Sequence, residues 1–188
     1  MRGPIVTLKG WWNRTDRESG ASMTCPDALA AGAVWRETLD RAGIPRSLSY
    51  PSTTLGQLLD QTKDRFGDHP AIVYSGQSIT YHELATQTNR LAGGLASLGV
   101  HEGDAVIMTL PNCPEYVTCF FAIQKLGAMV VNAGPLVGHD DLVGLIKLTG
   151  ARVLIGLDLQ APMLHSAGRD STITTYIWAA LESYQPAL

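Results

Sequence analysis

The side chains able to do chemistry in this sequence are scattered: five histidines, three cysteines and 17 carboxylates over 188 residues. The densest grouping is His139-Asp140-Asp141. It reads either as a metal site or as the start of a helix. Three adjacent residues in a first helical turn cannot all point at one ion, whereas two carboxylates there oppose the positive end of the helix dipole. Cys113 stands just ahead of Pro114 and Glu115. A thiol beside a helix N-terminus is either an activated nucleophile or a small, half-buried filler, and no His or Asn arrangement near Cys113 supports the first. His82 falls inside a capping motif and is expected to be exposed. His69, His101 and His165 are expected in turns or loops, and none has a catalytic partner visible in the sequence.

The common cofactor and nucleophile signatures are missing. No Gly-x-x-x-x-Gly-Lys-Ser/Thr cradles a phosphate, and no Gly-x-Gly-x-x-Gly follows a strand. Neither Gly-x-Ser-x-Gly nor His-Glu-x-x-His occurs. The segment with the best positional claim to function is PNCPEY, residues 111 to 116. It follows the apolar run at 105–110, and ligands approach open α/β sheets at the carboxyl ends of strands. Asn112, Cys113, Pro114, Glu115 and Tyr116 are therefore the candidate substrate-passage residues, although capping by Asn112 and a proline in the first helical turn account for the same sequence.

The elements that must position this turn are marked by periodicity. Residues 105 to 135 set a strand apolar on both faces, a proline-started helix and a second apolar strand in series, one βαβ unit of a helix-covered parallel sheet. Upstream, Thr54 with Gln57 and Thr80 with Glu83 are capping boxes. The first opens a helix with Leu55, Leu58, Leu59, Thr62 and Phe66 at helical spacing. The second opens a longer helix whose stripe is Leu84, Thr88, Leu91, Leu95 and Leu98. Between them, strands at 71–74 and 78–80 form a hairpin. Gly93-Gly94 in the long helix suggests close packing against the sheet or the approach of a ligand. Downstream, a helix from His139 turns Leu142, Leu145 and Ile146 inward and ends at Gly150, strand 152–157 follows, and a last strand spans 172–178. The predicted class is α/β, a doubly wound and mainly parallel sheet with flanking helices.

Composition bounds the rest. With 45% hydrophobic and 16% charged residues and a net charge of −3, the chain suits neither nucleic acid nor disorder. Three cysteines are too few for a disulfide framework, so a reducing, cytoplasmic setting is expected. If Cys113 and Cys119 share a helix, their spacing puts them on different faces. The apolar region 116–137 is interrupted by Gln124, Lys125 and Asn132, with Gly127 and Pro135 as breakers, which favours a buried helix and strand over a membrane span. Residues 1 to 50 read as an irregular arm with one weak helix over 27–42, Met23 offers an alternative start, and 51–188 reads as the folded part.

Taken in order, the chain resembles the N-terminal subdomain of the acyl-adenylate-forming ligases, the acyl-CoA synthetase and luciferase superfamily. The likeness runs through TLGQLLDQTKDRFGDHPAIVYSGQSITYHELATQTNRLAGGLASLGVHEGDAVIMTLPNCPEYV and FAIQKLGAMVVNAGPLVGHDDLVGLIKLTGARVLIGLD, within 54–158. The flanks GIPRSLSYPSTTL and TTYIWAALESYQPAL resemble the long-chain fatty-acid CoA ligase branch. The resemblance implies a parent that joins a fatty carboxylate to CoA through an acyl adenylate, with ATP, magnesium and CoA. A cytoplasmic protein is expected, with a membrane-peripheral position of the parent and a homodimer as options beside it. The family's glycine-rich phosphate loop, ribose-binding Asp and catalytic Lys have no counterpart here; Ser52-Thr53-Thr54 and Asp170-Ser171-Thr172 lack the glycines and the lysine. No catalytic or nucleotide-binding residue carries over. The segment is thus expected to be an inactive N-terminal part of the ligase, truncated before the phosphate loop. The alternatives are a stand-alone binding or dimerisation module derived from the family, and an unrelated flavodoxin-like or nucleotide-binding domain.

Overall fold

The computed structural model describes residues 37–45 and 51–180. The chain divides into two units, 1–51 and 52–188. In the first, residues 37–41 are helical. The rest of the helix expected over 27–42 lies outside the described residues.

In the second unit each helix start follows from its sequence. Thr54 caps α1 (Leu55–Phe66), its hydroxyl accepting from the Gln57 N–H while the Gln57 side chain accepts from the Thr54 N–H. Thr80 and Glu83 repeat the arrangement at α2 (Tyr81–Ser97). Each such exchange satisfies two backbone donors that a helix end leaves free. Between these helices β1 (Pro70–Tyr74) and β2 (Gln77–Thr80) pair antiparallel. Ser75 and Gly76 at their turn both hold positive φ, 48° and 78°, as a two-residue type I′ hairpin requires.

Four strands then make one parallel sheet in the order β4-β3-β5-β6: β3 (Ala105–Met108), β4 (Met129–Asn132), β5 (Val153–Leu157) and β6 (Thr175–Ala179). α3 (Pro114–Lys125) crosses from β3 to β4, α4 (His139–Thr149) from β4 to β5, and α5 (Ala161–Gly168) from β5 to β6. Alternation along the strands feeds two cores. Val106, Met108, Val153, Ile155 and Leu157 pack with Ala92 and Leu95 of α2 and Cys119, Ala122 and Ile123 of α3. Ile107 and Leu154 pack with Leu142 and Ile146 of α4 and Leu164 and Ala167 of α5. A third cluster, Leu59, Ile79, Leu84 and Ala85, joins α1 and the hairpin to α2, with Val117 and Phe121 of α3 against it. The fold is the doubly wound α/β arrangement that the periodicity predicts.

Several local expectations need correction. α5 has no counterpart in the sequence reading, and it moves His165 from a loop into a helix. β6 begins at Thr175 rather than 172, because the Thr172 hydroxyl donates to the Ala151 carbonyl at 2.6 Å and the Thr174 N–H to the Arg152 carbonyl at 2.9 Å, fixing those residues as a tight approach to the strand. β3 ends at Met108, two residues early, although the Thr109 N–H still bonds the Ile155 carbonyl. Leu55, Leu58 and Phe66 of α1 are exposed, leaving Leu59 as its buried leucine. Gly93 and Gly94 are exposed with open space where a Cβ would project, so close packing against the sheet does not explain them. Cys113 and Cys119 pack into the same core despite their spacing. Cys113 precedes the helix in extended conformation, so the helical wheel does not govern it.

Candidate functional site

In the order β4-β3-β5-β6 the connections leaving β3 and β5 run to opposite sides of the sheet. The carboxyl ends of these two neighbours therefore bound a crevice, the usual ligand position in such folds. Three loops meet there: 109–113 after β3, 133–138 after β4, and the short 3-10 turn Asp158–Gln160 after β5.

A polar link closes the base of the crevice. Thr109 is fully buried, and its hydroxyl lies 3.4 Å from the Ile155 carbonyl and 3.5 Å from Gln160 Oε1. The Gln160 side-chain amide donates to the Pro135 carbonyl, tying the loop after β4 to the turn after β5. Gly156 makes this possible, because a Cβ there would stand 2.6 Å from Thr109 Oγ1 and 2.4 Å from Leu164 Cδ1. The Ala133 N–H donates to the Met108 carbonyl at 2.9 Å, holding the loop after β4 to the end of β3. The loops also carry two apolar side chains out into solvent. Leu136 is 96% exposed and Leu159 81%. Nothing in composition or periodicity singled these residues out; the one signal was a glycine within the otherwise apolar run of β5.

The predicted residues 112–116 divide in two. Asn112 is exposed and is not the cap: Cys113 is the N-cap of α3, without a side-chain cap bond, and Pro114 takes the first helical position. Cys113 and Pro114 are buried. Burial pushes the Cys113 thiol up to about 11, outweighing the helical N–H of Tyr116 that favours thiolate. Cys119, deeper still, is pushed by burial to about 12. Its burial and raised pKa favour the filler reading of Cys113 over the nucleophile. Tyr116 is half-buried and stacks on Phe120 with centroids 6.5 Å apart. Glu115 is the unusual member. Its Oε2 is buried without a hydrogen-bond partner among the described residues. A buried carboxylate oxygen left so costs on the order of 1–3 kcal/mol unless a donor reaches it.

His139, read from the sequence as a metal ligand or part of a helix start, has two polar neighbours. His139 Nδ1 lies 3.0 Å from Asp140 Oδ1, and its Nε2 lies 3.4 Å from the hydroxyl of Ser166, 27 residues away on α5. The sequence reading missed Ser166 because it did not see α5. Gly138, rather than a side chain, caps α4, with Asp140 and Asp141 in the first turn. Among the described residues no three His, Cys, Asp or Glu side chains converge as metal ligands, and no helix is long and apolar enough to cross a membrane.

The profile of one family, AMP-binding enzyme, matches residues 59–186. A long-chain-fatty-acid–CoA ligase of Bacillus subtilis is 31% identical over 143 residues, covering 76% of this chain and 26% of that protein. Triostin synthetase I of Streptomyces triostinicus is 45% identical over 97 residues, 52% of this chain and 18% of its own length. Among solved structures, a fatty acyl CoA synthetase of Mycobacterium tuberculosis superposes with a TM-score of 0.63 at 26% identity, covering 67% of this chain and 26% of that one. The chain spans about a quarter of the length of the first of these relatives and less of the second.

Proposed function

The chain belongs to the AMP-binding enzyme family, and on that premise we propose that it forms the N-terminal part of an ATP-dependent acyl-CoA synthetase. In such a protein a carboxylate and ATP give an acyl adenylate and pyrophosphate, and the CoA thiol then displaces AMP. The observation that carries the reading is the family match over 59–186, which takes in all four parallel strands and the crevice at their carboxyl ends. Leu136 and Leu159 stand exposed on two loops around that crevice and favour a fatty acyl group. Residues 51–188 are then the first α/β subdomain and 1–50 an arm.

Asn112, Cys113, Pro114, Glu115 and Tyr116 border the acyl or CoA passage in this reading. Asn112 offers an exposed amide, while Cys113, Pro114 and Tyr116 set the wall. Glu115 presents an oxygen that a donor from the ligand or from the rest of the protein satisfies. The described carboxylates do not group to fit magnesium. In this reading the metal and the nucleotide are held by the parent's later subdomains, and the segment alone is expected to be inactive.

The test is carboxylate-dependent exchange of pyrophosphate into ATP, measured on the 188-residue chain and on a protein extended to the length of the relatives. Exchange by the extended protein with dodecanoate, and none by the shorter one, is the expected result. Exchange by the 188 residues alone overturns the inactivity. Failure of the extended protein with fatty and aryl carboxylates overturns the ligase reading. A second reading, a non-catalytic module acting through a homodimer, is favoured by the outer strands β4 and β6, each unpaired on one side among the described residues, with Met129 of β4 exposed. A concentration-independent monomer in sedimentation equilibrium removes it.

A further inference from the structure

On the α4–α5 face of the sheet, a cleft of about 720 Å³ opens between the two helices. Val143, Ile146 and Ala167 give it apolar walls, and His139 and Ser166 line it as well. The volume is that of a site for a small organic molecule.

The roles of the two ring nitrogens of His139 follow from its tautomer. In the neutral ring, Asp140 at 3.0 Å selects the tautomer with the proton on Nδ1, because an ionised carboxylate can only accept. Nε2 then carries the lone pair, and the Ser166 hydroxyl 3.4 Å away is the group that donates to it. A hydroxyl, a base to take its proton and a third group that fixes the base's tautomer stand in the order that nucleophilic catalysis needs. The hydroxyl contact is longer than the roughly 2.6–3.2 Å of a productive proton transfer, a distance such pairs reach once substrate is bound. Ser166 is exposed, so an acyl carbon can approach it.

We propose that Ser166 is a nucleophilic serine, with His139 as its base, that accepts an acyl group from small activated esters seated in the α4–α5 cleft. In the first step a bond forms between Ser166 Oγ and the acyl carbon while the ester C–O bond breaks. The serine proton passes to His139 Nε2 and then to the departing alkoxide or aryloxide. In the second step water, losing its proton to His139, attacks the acyl-serine, and the free acid leaves as Ser166 recovers its proton. Asp140 is a positioning residue, and because it is fully exposed its influence is screened by solvent. This activity is independent of the ligase reading.

The test treats the 188-residue chain with a fluorophosphonate probe, with mass spectrometry to locate and count the label. One equivalent on Ser166 is expected, and none in Ser166→Ala. His139→Ala is expected to slow labelling about 100-fold, with partial recovery on adding imidazole, as loss of a general base requires. Asp140→Asn should slow it by a small factor without moving the melting temperature. With p-nitrophenyl butyrate, a burst of one equivalent of nitrophenolate precedes slow turnover. Label on another residue, label persisting in Ser166→Ala, or unchanged labelling in both His139→Ala and His139→Gln overturns the assignment. All three exposed positions tolerate substitution on the surface, and equal melting temperatures confirm that the variants are folded.

Discussion

The two faces of the parallel sheet are covered by the same kind of element, built in different ways. On one face α2 and α3 pack against Val106, Met108 and Ile155, with α1 and the hairpin outside them. Capping boxes open α1 and α2. Lys125 at the end of α3 reaches Asp60 of α1, at 2.6 and 2.7 Å, and Asn89 of α2, at 2.8 Å. On the other face α4 and α5 start from Gly138 and Gln160 with no side-chain cap bond, and a cleft opens along their shared edge. The first face converts helix ends and ionic groups into internal contacts. The second leaves the same kinds of group facing solvent, and regions with few such closures open at lower free energy.

The sharpest way to break this comparison is to truncate one fully buried leucine on each face. Leu95 of α2 and Leu164 of α5 are both 0% exposed. Leucine-to-alanine changes cost about 2–5 kcal/mol, more where the surroundings cannot collapse. Leu95→Ala, held in a layer itself covered, is expected toward the upper end of that range. Leu164→Ala is expected toward the lower end, because eight-residue α5 beside a cleft can shift inward. Urea denaturation of both variants measures the difference. Equal costs, or a larger one for Leu164→Ala, break the contrast.

The difference between the faces also explains what was legible in the sequence. α1 and α2 announce themselves by Thr-x-x-Gln and Thr-x-x-Glu, and β3 and β5 by unbroken apolar runs, because these features come from local hydrogen bonds and burial on both sides. α5 carries neither a capping side chain nor a long stripe. Its helix is fixed by Leu164 and Ala167 reaching the sheet, which is a tertiary cause. Gly168 belongs to the same cause, since a Cβ there would meet the Tyr176 hydroxyl of β6. PNCPEY follows the carboxyl end of β3, as the apolar run ahead of it predicted. Thr109, Gln160 and Pro135 were not legible, as their contacts join residues up to 51 positions apart.

A smaller effect separates two lysines. Lys125 is 14% exposed and shares Asp60 and Asn89, whereas among the described residues no hydrogen bond or ion pair holds Lys147 of α4. Lys125→Met leaves Asp60 without its cation, at a cost of about 1–2 kcal/mol once the carboxylate's partial exposure is allowed for. Lys147→Met is expected within about 0.5 kcal/mol of the parent chain. A matching pair of values shows that the inter-helix tie contributes nothing.

Capping gives the next step down. Thr80→Ala removes the acceptor for the Glu83 N–H and costs about 1 kcal/mol. On the open face Gly138 holds φ −71° and ψ 156°, an ordinary extended conformation. Gly138→Ser therefore adds a missing cap without strain, and a gain of a few tenths of a kcal/mol is expected. A gain there equal to the loss at Thr80 shows the two faces to be alike at their helix starts.

The smallest expected effect is a dependence on pH that belongs to one face. The N–H and hydroxyl of Thr80 donate to the Glu83 carboxylate at 2.8 and 2.9 Å and hold its pKa below the usual carboxylate value. A carboxyl group whose folded pKa is depressed binds its proton more readily in the unfolded chain. Its stabilising contribution is therefore complete above the unfolded value, near 4.5, and is lost as pH falls through the lower folded value. Glu83 is exposed, so the slope is shallow and salt weakens it. Glu83→Gln keeps an acceptor for the Thr80 N–H and removes the titration. Its stability is expected to fall less than that of the parent chain between pH 5 and 3, as measured by urea midpoints. Asp140 and Asp141 in the first turn of α4 are the comparison, since neither accepts a backbone N–H at its cap. Replacing both by Asn should leave the acid slope closer to that of the parent than Glu83→Gln does, and the opposite order would place the acid-sensitive helix start on the open face.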